Sequence, residues 1–322
     1  MTDIYAHSEH QPVLLQEAIE ALNINPEGNY VDATFGRGGH SRAILAKLSA
    51  KGRLWVIDQD PSAIEVAHQM AAQDKRLTVC HARFDVLQAY CEAQGISGKV
   101  DGILLDLGVS SPQLDTPERG FSFMQAGPLD MRMDTTKGRS AAEWIAIAEE
   151  EEIADVLFTY GEERFSRRIA KAIVAARQEA PIKTTDRLAE IIKKANPAWE
   201  KHKHPATRGF QAIRIFINQE LSTLEDTLRQ TLSVLAPGGR LTVISFHSLE
   251  DRIVKQFMQQ HAKPPALPRT LRHLPVMDNQ TAFIPDLSLI GKKIRPSNQE
   301  MAANPRARSA LLRIAARVII TR

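Results

Sequence analysis

The stretch from Tyr30 to Leu45, YVDATFGRGGHSRAIL, constrains the chain more than any other. An apolar run meets a glycine cluster that opens straight into helix-forming residues. A strand feeding a glycine-rich turn and a helix is the unit from which nucleotide-binding parallel sheets are built. The glycines alone do not identify the nucleotide. Gly36, Gly38 and Gly39 give GxGG, but Ser41 stands where GxGxxG requires its third glycine, and no Lys-Ser or Lys-Thr pair follows to make a Walker phosphate loop. What remains is a tight turn where backbone approaches a ligand closely, or a turn that merely joins two elements.

The next strand narrows the choice. RLWVID, Arg53 to Asp58, places an acid 22 residues after Gly36, where a carboxylate suits a ribose diol because it accepts from both hydroxyls. NAD and S-adenosylmethionine share that ribose, and charge separates them. Asp32, Asp58, Asp60 and Asp106 all fall at or just beyond strand ends and would gather carboxylates at one sheet edge. Such a field repels a pyrophosphate and favours a cationic sulfonium, so the expected cofactor is S-adenosyl-L-methionine. Each aspartate taken singly also suits a helix cap or a turn.

Strand-like runs occur at 29–35, 53–58, 77–81, 100–107 and 240–246, with helical patterns between the first four and a lead-in helix at 13–22. This alternation predicts an α/β, Rossmann-like doubly wound sheet. About 130 residues separate the fourth and fifth runs, far more than a crossover needs. The expected division is therefore a sheet domain of 1–110 and 216–322 with an inserted all-helical domain at 111–215. The insert carries a capping-box spacing at Ser140 and Glu143 before AAEWIAIAEEEEIADVLFTYG, then EERFSRRIAKAIVAARQEA and TTDRLAEIIKKAN, and a long amphipathic helix is expected over 205–235. APGGR, 236–240, reads as the turn into the fifth strand, and ARSALLRIAARVII as a closing strand.

Composition excludes a collagen-like or largely disordered chain, with 43% apolar and 25% charged residues. No apolar run approaches the length of a membrane span, and MTDIYAHSEHQP lacks the features of a signal peptide. Cys80 and Cys91 form no ligand-spaced cluster, which points to a reducing, cytoplasmic setting without a metal site. The net charge of +3 hides an uneven distribution: 163–214 and 261–322 carry +8 each, leaving −13 elsewhere. An acidic cofactor-binding part beside two basic segments suits a polyanionic substrate, although solvated helix faces give the same pattern.

The fourth strand ends in DLGVSSPQLD, and ligands of open parallel sheets lie beyond such carboxyl ends, so Asp106, Ser110, Ser111 and Gln113 are expected near the glycine turn. RGFSFMQAGPLDMRMD, 119–134, reads as a loop in which Phe121 and Phe123 either stack on a base or, the reading favoured here, anchor the loop. SFHSLEDR, 245–252, invites a Ser-His-Asp hydrolase, but no GxSxG elbow is present; His247 is placed near the substrate instead.

HQPVLL at His10, VDATFGRGGHS at Val31, DGILLDLGVSSPQLD at Asp101, ERGFSF at Glu118, PLDMRMD at Pro128, YGEERFSRRIA at Tyr160, HPATRGFQAIRI at His204, LAPGGRLTVISFHSLEDRIVK at Leu235 and NPRARSALLRIA at Asn304 together resemble the RsmH family, also called MraW, along nearly the whole chain. That resemblance implies a class I methyltransferase fold and S-adenosylmethionine-dependent methylation of N4 of a cytidine in small-subunit (16S) ribosomal RNA. It implies cofactor contacts at Gly38, Gly39, His40, Asp58, Phe84, Asp106 and Gln113. Many amino-methyltransferases carry an Asp/Asn/Ser-Pro-Pro-aromatic motif after the fourth strand. This chain has DLGVSSP there, so the proton-accepting groups of that motif do not transfer.

The expected catalytic groups are Asp106, with help from Ser110 or a backbone carbonyl of 107–111. Lys201, Lys203, Arg208, Arg306 and Arg308 are the expected phosphate contacts. Two rivals share parts of the pattern: an NAD-dependent oxidoreductase and a non-catalytic ribosome-assembly factor. The oligomeric state is open, a homodimer included.

Overall fold

The computed structural model describes residues 12–198, 204–264 and 283–319. They form two units, Met1–Gly108 with Thr223–Arg322, and Val109–Ser222. The cuts fall at 108 and 222, where the sequence suggested 110 and 215.

The first unit opens with α1 (Leu15–Leu22), β1 (Asn29–Asp32), α2 (Gly39–Lys47), β2 (Arg53–Asp58), α3 (Pro61–Gln73), β3 (Leu77–His81), α4 (Leu87–Ala93) and β4 (Val100–Asp106). Leu54 to Ile57 on β2 and Gly102 to Leu105 on β4 are buried without interruption, as expected for strands covered on both faces. Asp60 caps α3 by accepting from the Ser62 backbone N–H (2.9 Å), with Pro61 at the first helical position.

The second unit contains α5 (Ser111–Asp115), α6 (Ala141–Ile147), α7 (Glu150–Gly161), α8 (Ser166–Glu179), α9 (Thr185–Ala195) and α10 (Thr207–Asn218), around a core of its own that includes Trp144, Leu157, Ile173, Ile192 and Phe210. Ser140 and Glu143 form the expected capping box. The helix expected after it is two helices, because Ala148 and Glu149 are extended. Arg177 donates to the carbonyls of Ile145 (2.5 Å) and Ala148 (2.6 Å), and the acids Glu150 to Glu152 sit at the new N-terminus, where the helix dipole favours negative charge.

The chain returns through α11 (Glu220–Val234) to β5 (Leu235–Ser245), then α12 (Ser248–Ala262), β6 (Leu287–Leu289), α13 (Asn298–Ala303) and β7 (Leu311–Arg317). The sheet order is β3-β2-β1-β4-β5-β7-β6, parallel from β3 to β5, with β7 antiparallel to both β5 and β6. APGGR lies inside β5 rather than before it: the register against β4 jumps from Val100↔Leu235 to Gly102↔Arg240, and the extra residues bulge. β6 went unread because three residues give no period to recognise.

The helix expected over 205–235 is also broken, at Gln219, which adopts a left-handed conformation (φ 53°) with no glycine or proline to announce it. Asn218 explains the break. Its side-chain oxygen accepts from the Met133 N–H (2.7 Å) and its amide donates to the Met131 carbonyl (2.8 Å). Met131 itself is fully buried at φ 63°, a strained conformation for a methionine that the bonds around it hold in place. Asn218→Ala removes both of these bonds, and urea unfolding should report a loss of about 3 kcal/mol. An unchanged midpoint would show that the loop does not depend on this side chain.

Candidate active site

The first unit brings five carboxyl groups to the carboxyl ends of its strands, four of them foreseen in the sequence. Asp32 ends β1 and is fully buried. It accepts from the Ser41 hydroxyl on α2 (2.6 Å) and from the Thr34 N–H (3.2 Å). Burial nevertheless pushes its carboxyl up to about 6. Asp58 ends β2 and accepts from the Gly36 N–H (2.7 Å) and the Asp60 N–H (2.9 Å). Burial again pushes it up to about 6, with the Asp60 and Asp32 charges adding a smaller push. The glycine turn is thus closed by the same acid expected to meet a ribose.

Asp106 ends β4, and its backbone N–H donates to Thr34 Oγ1 (2.6 Å). Its carboxyl is lifted well above the ordinary range by burial, then by the Asp32 and Glu250 carboxylates. A quarter of the side chain remains open, yet Oδ1 is buried and has no hydrogen-bond partner among the described residues. Oδ2 lies 3.6 Å from His40 Nδ1. His40 sits in the first turn of α2, and burial drives its imidazole down to about 4, so it is neutral near pH 7. Its Nε2 lies 3.2 Å from the Val13 carbonyl.

These shifts correct one expectation. The acids do gather at one edge, but burial raises all three carboxyls, Asp32 and Asp58 to about 6 and Asp106 well above the ordinary range, so the rim is less negative than its residue types imply. Asp60 belongs to the group chiefly as a helix cap.

The two glycines of the turn that precede α2 have different tasks. Gly36 is left-handed (φ 56°), and a Cβ there would meet nothing nearer than the Thr34 carbonyl at 4.0 Å, so its outer face is open. Gly38 is left-handed too (φ 75°), but a Cβ would strike the Phe35 ring at 2.6 Å, and one at Gly39 would strike Pro12 at 2.1 Å. Those last two positions are held small by packing.

Glu250 is the acid that sequence reasoning missed. It is buried on α12 and accepts from the N–H groups of Phe246 (2.8 Å) and His247 (3.3 Å) just past β5. The signal was present as the spacing of a capping box, with His247 as the cap residue and Glu250 three positions on. His247 Nε2 is 3.1 Å from Glu250 Oε1. Phe84 lies in a short turn, Phe84–Val86, partly buried against the core beside β2, β4 and β5. Arg306 and Arg308 are exposed in the turn Pro305–Ser309.

Ser110, Gln113, Phe121, Phe123 and Arg208 belong to the second unit. Ser110 caps α5, and its N–H donates to Gln113 Oε1 (2.9 Å). Phe121 is 6% exposed and offers no face to a base. Phe123 packs against His204 (ring centroids 4.6 Å apart) and Phe210 (4.8 Å). Both phenylalanines pack into the core of the second unit, which is what anchoring the loop requires. Arg208 donates to the Glu162 carbonyl (2.7 Å). Lys201 and Lys203 lie outside the described residues.

Asp32 gives a test of the rim's electrostatics. Its folded value lies above its unfolded one, so its contribution to stability is complete below about pH 4 and is lost as pH rises through about 6. The rise from the ordinary carboxylate range to about 6 is worth about 3 kcal/mol. Asp32→Asn should flatten that part of the stability profile in urea titrations between pH 4 and pH 7, and a profile parallel to the wild type would refute the assignment.

Among the described residues, no helix is long and apolar enough to cross a membrane. Solved structures similar to this chain include a candidate rRNA methylase from Clostridium thermocellum (11% identity, 95% of this chain and 98% of that one, TM-score 0.45). An rRNA methylase from Streptococcus thermophilus (12%, 95% and 94%, TM-score 0.40) is another. A third is an S-adenosylmethionine-dependent O-methyltransferase from Thermotoga maritima (9%, 99% and 71%, TM-score 0.42). Scores this low carry no weight for function. A family model does: the one described as the MraW methylase family matches residues 7–318. With all but the ends of the sequence accounted for by that match, the chain belongs to the MraW methylase family.

Proposed function

We propose that the protein methylates the exocyclic N4 amine of a specific cytidine in small-subunit (16S) ribosomal RNA by direct transfer, as a step in decoding-site maturation. As a methylase of this family, it takes the methyl group from S-adenosylmethionine. The observation that carries the reading is Asp106 at the end of β4: a partly open carboxyl group with one buried oxygen that no described residue satisfies. A buried acceptor left bare is costly unless a ligand completes it.

The residues present fit the cofactor. Each oxygen of Asp58 spends one lone pair on a backbone N–H and keeps another, so two ribose hydroxyls find an acceptor apiece. The open face at Gly36 lets a ligand approach the backbone. Bound there, the cofactor supplies a methyl group already activated on a positively charged sulfur. Nearby acids that ionise only above about pH 6 complement that charge once it arrives. Gly38, Gly39, His40, Phe84 and Gln113 remain proposed cofactor contacts on the strength of the resemblance.

The substrate sets the remaining demand. An amine whose lone pair is delocalised into a pyrimidine ring is a poor nucleophile, and its hydrogens must be held by acceptors while the lone pair is turned toward the methyl carbon. Asp106 is the acceptor the first unit provides, and Ser110 is retained as a proposed helper. Arg208, Arg306 and Arg308 are proposed phosphate contacts, in keeping with the +8 segments that contain them. The target base must leave its stack to be reached, which is easiest in distorted or single-stranded RNA.

The test is methyl transfer from labelled cofactor to small-subunit RNA, with the modified nucleotide mapped. Label on another base, or none, ends the reading. Asp58→Ala should weaken cofactor binding by about 10-fold or more in calorimetry, the cost of losing hydrogen bonds to a charged group. Asp106→Ala should leave a folded chain that transfers methyl at least about 100-fold more slowly at saturating cofactor. A fully active Asp106→Ala removes that residue from the mechanism.

A further inference from the structure

Asp106 presents a difficulty that its surroundings resolve. Burial raises its carboxyl well above the ordinary range, and a carboxyl that already carries a proton takes one from an amine only by giving one up elsewhere. The group that faces its other oxygen is His40, and the tautomer of that ring follows from geometry. Nε2 lies 3.2 Å from the Val13 carbonyl, which only accepts, so Nε2 carries the hydrogen. Nδ1 is therefore a bare lone pair, and it points to Asp106 Oδ2 across 3.6 Å. A small side-chain rotation would bring that separation to hydrogen-bond distance, and catalytic contacts are often long in the absence of substrate.

Resting on the methyl-transfer reading of this site, we infer that Asp106 and His40 form a two-step proton relay. Oδ1 accepts the proton of the methylated amine while Oδ2 passes its own proton to His40 Nδ1. The step balances. The amine nitrogen bonds to the methyl carbon as the carbon–sulfur bond breaks with its electron pair on sulfur. One N–H bond then breaks, its electrons return to nitrogen, and one proton enters Asp106 as one leaves. Asp106 ends neutral, and a single positive charge has moved from sulfonium to imidazolium.

Burial makes His40 a weak base, but an amine whose lone pair belongs to the ring becomes a strong acid once alkylated, so a weak base suffices. The charged groups around the pair are the Asp32 carboxylate on β1 and the Glu250 carboxylate on α12, both coupled to Asp106, with Asp58 on β2 coupled in turn to Asp32. The group that supports an imidazolium directly is the Val13 carbonyl, whose contact with Nε2 raises the ring against the effect of burial. His40 is thus a proton-holding residue rather than only part of the glycine turn.

Two measurements on the full chain test this. The first is nitrogen NMR of the imidazole, which needs neither RNA nor cofactor. Near pH 7 His40 should show hydrogen on Nε2 and a bare Nδ1, and Asp106→Asn should shift the Nδ1 signal. A ring with hydrogen on Nδ1 overturns the relay.

The second is the pH profile of kcat at saturating cofactor and RNA. His40→Gln should lower kcat at saturating cofactor by about 100-fold and abolish the fall in rate on the acid side, whatever it does to the cofactor Kd. An unaltered kcat profile, or a loss traced wholly to cofactor Kd, overturns the proposal. If His40→Gln fails to fold, the NMR response to Asp106→Asn decides alone. A wild-type chain that methylates no RNA refutes the functional reading, and this one with it. An active wild type beside an unaffected His40→Gln refutes the relay alone.

Discussion

Keeping carboxyl groups out of water at one end of a sheet is the constraint on which the site depends. Asp32, Asp58 and Asp106 end adjacent parallel strands whose preceding residues belong to two hydrophobic clusters. Desolvation disfavours their charge, and the structure offsets part of that cost with local donors: Ser41 and the Thr34 N–H for Asp32, the Gly36 and Asp60 N–H groups for Asp58. These bonds also shape the backbone. The Gly36 N–H that serves Asp58 belongs to the turn opening α2, and Thr34 both donates to Asp32 and accepts from Asp106. The acids and the glycine turn therefore hold one another in place.

Asp106 is the exception, and its isolation is informative. Where its neighbours receive compensating donors, its Oδ1 receives none among the described residues. A neutral acid is the form that tolerates such a place, and it donates as well as accepts. Charge at this rim is thus conditional: Asp32 and Asp58 lose it as pH falls through about 6, and an arriving cation favours it. Linkage makes the converse hold, since a cation that favours the ionised acids binds more tightly as pH rises through about 6.

Much of this was legible in the sequence for simple reasons. Strands buried on both faces read as uninterrupted apolar runs, and a gap of about 130 residues between two of them has to be an insertion. Asp58 was legible because strand, turn and helix lengths place it. The breaks at Ala148 and Gln219 were not, because neither has a glycine or proline. They arise from Arg177 reaching back to two carbonyls and from Asn218 reaching into a loop far away in sequence. Phe121 and Phe123 illustrate the same limit, since an aromatic in a loop looks alike whether it faces a base or a core. Glu250 was legible as a cap, while its closeness to Asp106 was not.

By itself the sequence determined the parallel sheet with its helical insertion and the placing of Asp32, Asp58 and Asp106 at strand ends, because these follow from periodicity, element length and residue type, which are local. Only the tertiary structure decided the protonation of those acids, the tautomer of His40 and which oxygen of Asp106 is left without a partner. Those properties depend on how many atoms exclude water around a group and on which donors face it, and both are set by segments distant in the chain: Val13 against His40, Thr34 and Glu250 against Asp106.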